Sequence, residues 1–153
     1  MILFAPNSLI KSADHNLNNA GLDARLVNLE VVPCAFGKIN SGTGSGNKTL
    51  TLTASGMTMV NSNTGVRVDK AGKYFINAQQ LLSTTTTALY FAIMINGNSV
   101  AYGYINGSTM KDANASYLGQ LNVGDVISIN FNVAVTSCWE LPHSYLEVFR
   151  VGA

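Results

Sequence analysis

From Val31 to the C-terminus, apolar residues come in short period-two runs separated by turn-forming residues. Leu50, Leu52 and Ala54 alternate with Thr51, Thr53 and Ser55, the pattern of a strand with one face buried and one in water. Similar runs predict strands over 31–39, 57–60, 66–68, 74–82, 89–95, 100–105, 115–121, 126–135 and 145–151. Asn96-Gly97, between two of these runs, is the strongest short hairpin signal in the chain, because a tight primed turn needs positive φ at both central positions. Asn106-Gly107 and Gly124-Asp125 mark further turns, with Asp125 read as a turn residue that bonds backbone amides rather than as a catalytic acid. The glycine-rich stretch from Ser41 to Asn47 reads as a flexible loop. Some eight to ten short strands without an internal repeat predict an all-β fold, a jelly-roll β-sandwich.

Before Pro33 the texture differs. Residues 1–11 read as an extended arm, and Ser12 can cap a helix. Leu22, Leu26 and Leu29 recur at helical spacing and predict a short helix over 21–30. Asn16, Asn18, Asn19 and Gly21 weaken its start, so such a helix needs something to pack on. The chain therefore divides into an N-terminal arm and helix, 1–32, and a jelly-roll domain, 33–153.

Composition changes the picture in one respect. Charged residues are only 11% of the chain, and Asn, Ser and Thr, numbering 17, 13 and 12, replace them. With a net charge of +1, such a surface has no long-range attraction for nucleic acid or anionic lipid. Hydrophobic residues reach 47%, more than the core of a lone domain needs, which points to apolar surface buried between subunits. The apolar start Met1 to Pro6 is too short for a signal segment, and no run is long enough for a membrane span, so a chain made in a cytoplasm is expected. Cys34 and Cys138 are far apart and form no CxxC; two free thiols are the simpler reading and a disulfide the alternative.

Catalysis needs titratable groups that converge. His15 and His143 are separate, and the eight carboxylates are scattered without a calcium-loop pattern. The Gly42 to Gly46 stretch has neither nucleophile-elbow nor phosphate-loop spacing. No enzyme activity, metal or cofactor is expected, and a polysaccharide-acting enzyme is the least supported reading.

Several segments, in order, resemble a known superfamily. Thr64 to Val68 leading to Gly72-Lys73-Tyr74-Phe75-Ile76 matches a "TGxF…GxYxF" stretch. Ile93 to Gly97 matches an "lxxNG" hairpin, Leu121 to Ile127 an "LxxGDxV" turn, and Tyr145 to Phe149 a closing strand. Over roughly 34–151 the chain resembles the complement globular-head and tumour-necrosis-factor jelly rolls. That resemblance implies a ten-stranded jelly roll assembled as a tight homotrimer. It also implies axis-facing strands carrying Tyr74, Tyr117 and Tyr145, which become the candidate trimer-interface residues.

The segment from Ser12 to Leu22 resembles an "A-x-x-x-N-x-N-x-x-x-L" segment found near the start of tailed-phage virion proteins. Together the two resemblances imply a virion structural protein, a trimeric capsid decoration (cement) protein whose partners are itself and the major capsid protein. The candidate capsid-attachment residues are Leu3, Phe4, Leu17, Leu22 and Leu26. The alternative is a trimeric receptor-binding head that recognises a host-surface glycan, with Tyr104 and Trp139 as candidate contacts.

Overall fold

A computed structural model describes residues 32–40, 45–81, 89–105, 112–132 and 143–153. All of them belong to one unit, Val32–Ala153. The predicted arm and helix lie outside the described residues, as do Trp139 and Cys138.

The described residues form eleven strands and no helix: β1 Cys34–Ile39, β2 Gly46–Asn47, β3 Leu50–Ser55, β4 Met57–Val60, β5 Gly65–Val68, β6 Gly72–Leu81, β7 Leu89–Ile95, β8 Asn98–Ile105, β9 Asp112–Leu121, β10 Val126–Phe131 and β11 Tyr145–Gly152. Ten of the eleven fall where the period-two pattern predicts them. One sheet has the order β3-β1-β11-β6-β9; the other has the order β4-β5-β10-β7-β8, with β2 added on β10. Every pairing is antiparallel, and strands remote in sequence lie side by side, as in a jelly roll.

The exception to the sequence reading is β2. Gly46-Asn47 is not part of a free loop but pairs with Phe131 and Asn130 of β10. Gly46 enters the pairing at a φ of 97°, which a side chain disfavours, and Lys48 N–H donates to the Ile129 carbonyl at 2.9 Å.

Inward-facing residues of both sheets make one core, with Tyr74, Phe91, Phe131, Ile76, Ile93, Ile127, Ile129, Leu146 and Val148 all essentially without exposure. The Phe91 and Phe131 rings lie 5.7 Å apart. Directly across from Phe91, Gly103 leaves space for the ring, which a Cβ there would strike. Burial pushes the Tyr74 phenol up from its ordinary pKa, and its hydroxyl donates to the Lys70 carbonyl at 2.6 Å.

The Asn96-Gly97 hairpin and the Gly124-Asp125 turn stand where the sequence predicts them, and Asn106-Gly107 lies outside the described residues. Asn96 and Gly97 have φ of 52° and 80° between β7 and β8. Asp125 caps two turns at once: its carboxylate accepts from Asn96 Nδ2 at 2.7 Å and from the Asn122 backbone N–H at 2.8 Å.

Candidate self-association surface

In β6 the core takes Gly72, Tyr74, Ile76, Ala78 and Gln80, so Lys73, Phe75, Asn77 and Gln79 point away from it. Antiparallel register carries this parity across the sheet. Phe75 pairs with Leu118 of β9 on one side and Phe149 of β11 on the other, and Phe149 pairs with Cys34 of β1. One outward row therefore reads Leu118, Phe75, Phe149, Cys34, with Phe36 diagonal to Phe149. In the single chain Phe36, Phe75, Leu118 and Phe149 are 45%, 37%, 55% and 40% exposed. Isolated exposed apolar residues are ordinary, but a register-paired row of them across four strands is a contiguous patch, and such patches mark contact surfaces.

Further along the same strands the face turns polar and internally bonded. Asn77 Nδ2 donates to Glu147 at 3.2 Å, Asn114 Nδ2 donates to Asn77 at 2.8 Å, and the Tyr145 hydroxyl donates to Gln79 Oε1 at 3.0 Å. Tyr145 also stands 6.1 Å from Phe36, ring centre to ring centre, and so joins the two halves of the face.

The structure separates the three candidate interface tyrosines. Tyr145 lies on the outward face. Tyr74 does not: its ring is buried in the core of its own chain, so it reaches no neighbouring subunit, and Phe75 takes the outward position. Tyr117 pairs with buried Ile76 and packs half-buried on the core side at edge strand β9. The sequence signal for Phe75 was its place between Lys73 and Asn77, polar residues of the same parity. Cys34 is a free thiol, half-buried at the end of the apolar row. Leu3, Phe4, Leu17, Leu22 and Leu26 lie outside the described residues.

Tyr104 occupies the other sheet. It pairs with Tyr90 across β7 and β8, and Tyr102 packs its ring edge-on against Tyr90 with centroids 5.9 Å apart. His143 is exposed in the turn before β11, and no group of three or more His, Cys, Asp or Glu among the described residues is placed to hold a metal ion. Asp69 is an acid tuned by its neighbours. The Thr58 hydroxyl, donating at 2.6 Å, holds its pKa below the ordinary value; desolvation opposes this, and Arg67 Nε at 3.0 Å adds to the lowering. This is a surface pair bracing β4 and β5, not a reactive group.

No protein-family model and no curated protein sequence matches the chain. Its fold is nevertheless shared with solved structures. Murine APRIL at pH 8.5 is 15% identical, with a TM-score of 0.65 over 78% of this chain and 98% of that one. Eiger TNF from S. frugiperda is 11% identical, with a TM-score of 0.63 over 80% of this chain and 94% of that one. At such identities the likeness is one of fold: the chain is a jelly-roll sandwich of the tumour-necrosis-factor type.

Proposed function

We propose that this chain is a structural protein of a phage virion, a homotrimer that decorates and stabilises the capsid shell. The observation that carries self-association is the outward apolar row Leu118, Phe75, Phe149 and Phe36, which a second copy of the sheet is suited to cover. Trimeric assembly is supported by the superfamily resemblance. Attachment to the major capsid protein is assigned to residues 1–32, on the resemblance of Ser12 to Leu22 to virion attachment segments. Three attachment segments on one trimer act at high effective concentration, so weak individual contacts add up to firm binding. A weakly charged surface suits this role, because contact depends on shape and apolar area rather than on a field.

The test uses particles assembled with and without the protein. Those lacking it should adsorb to cells at near-normal rates but release their genome at lower temperature or milder osmotic stress. Unchanged heat resistance with adsorption abolished would overturn the assignment in favour of a receptor-binding head.

A further inference from the structure

The sheet opposite the apolar row carries a different kind of surface. Tyr90, Tyr102 and Tyr104 are 45%, 60% and 57% exposed and line an open cleft of about 370 Å³. Volumes of this order accommodate small ligands. Between the strands of these rings, Ala92 is only 4% exposed and is the register partner of Tyr102. Register continues the row sideways: Tyr102 pairs with Ala92, Ala92 with Asn130, and Asn130 with Asn47. At a strand spacing of about 4.8 Å, Asn130 stands roughly 10 Å from Tyr102. Asn130 Nδ2 donates to Asn47 Oδ1 at 2.9 Å, which leaves Asn130 an acceptor and Asn47 a donor beside the cleft.

The chemistry of this surface selects its ligand. It offers aromatic rings with phenolic hydroxyls and side-chain amides, and no Lys, Arg, Asp or Glu shares the described rows that hold Tyr90, Tyr102, Tyr104 and Asn130. The nearest charged group on the outward side of β5 and β10 is Arg67, paired with Val126 four residues along β10 from Asn130. Among the described residues of these rows, a charged ligand would lose hydration without gaining a counter-charge. A pyranose has both features the surface complements, an apolar C–H face for the rings and neutral hydroxyls for Tyr and Asn side chains. We infer that Tyr90, Tyr102 and Tyr104, flanked by Asn130 and Asn47, form a binding platform for a neutral saccharide. This adds a second binding activity on the sheet facing away from the self-association surface, and it stands independently of the capsid assignment.

The test is affinity electrophoresis of the full chain through gels containing a neutral polysaccharide (dextran, mannan or galactan) or the anionic alginate. At least one neutral polymer should retard the protein, and the double variant Tyr102→Ala/Tyr104→Ala should weaken that binding at least about tenfold with its circular dichroism unchanged. Tyr104→Phe, which keeps the ring, should retain most of it. On the wild-type protein, saturation transfer from tyrosine ring protons should reach the sugar C–H protons of the retarding polymer's oligosaccharide. Retardation by alginate alone, by no polymer, or undiminished in the double variant would overturn the inference, and so would absent saturation transfer.

Discussion

Phe75 and Phe149 stand directly opposite each other on neighbouring antiparallel strands, both pointing out of the sandwich and both more than a third exposed. Cross-strand aromatic pairs stabilise a sheet by up to about 1 kcal/mol, but that does not require the rings to meet water. Central aromatic anchors in interfaces cost about 2 kcal/mol or more when removed. The double variant Phe75→Ser/Phe149→Ser should therefore weaken self-association by at least about thirtyfold while each chain stays folded. Sedimentation at micromolar concentration should show the wild type near three times 16.2 kDa and the variant near one. A wild-type monomer would refute the assembly outright.

Gly103 faces the ring of Phe91, and Phe91 in turn packs on Phe131 in the core. A methyl group at Gly103 must push that ring off its site. Overpacking of this kind costs about 1–3 kcal/mol, so Gly103→Ala should lower the denaturant midpoint by a corresponding amount. Gly97→Ala, where no atom lies within 4 Å of the added Cβ but φ is 80°, isolates the backbone component.

Asp125 joins the β7–β8 hairpin to the turn before β10 through two hydrogen bonds. Bonds to a charged acceptor contribute about 1.5–3 kcal/mol each in protected sites and less in water. Asp125→Ala should destabilise by about 2 kcal/mol in thermal unfolding, and any activity found for the protein should survive it. An effect on binding larger than on stability would make Asp125 more than a turn residue.

Much of this was legible from residue order. Alternation placed ten strands, Asn96-Gly97 marked its hairpin, and Asp125 its turn. The resemblance picked out the strand of Tyr74 but not the parity within it, and Tyr74 is buried in the core of its own chain. Lys73, Asn77 and Gln79 mark the water face of β6, and only Phe75 among the neighbouring aromatics shares it. Other features were beyond the pattern. A two-residue strand such as β2 has no period to detect. The meeting of Tyr90 with Tyr102 and Tyr104 depends on a register that shifts between Ile93 and Met94, which no local rule supplies.

Asp69 gives the protein a defined response to acid. Its folded pKa is depressed, first by the Thr58 hydroxyl and then by Arg67, so the stabilisation is fully present above the ordinary aspartate range and is lost as pH falls through the folded value. Thermal melting of wild type and Asp69→Asn should differ at neutral pH, with the wild type higher, and converge in strong acid. The difference should be small, since the pair is exposed to solvent and screened. A gap that widens on acidification would contradict the sign.

Sheet pairing begins with Cys34, and the residue before it already serves the sandwich: the Pro33 carbonyl accepts from Arg150 N–H at 2.9 Å, and the Pro33 ring lies where a Cβ on Gly56 would touch it. A chain begun at Val32 keeps both contacts and every described strand. It also keeps the whole apolar row, since Leu118, Phe75, Phe149, Cys34 and Phe36 all lie beyond the cut. Deleting residues 1–31 should therefore leave melting temperature and assembly size near those of the full chain. Attachment should behave oppositely, because Leu3, Phe4, Leu17, Leu22 and Leu26 are removed together, and particles mixed with the shortened protein should stay bare in electron micrographs. Full decoration by the shortened chain would move the attachment surface onto the jelly roll itself. Loss of folding would make the first residues part of the core and cancel the division at Pro33.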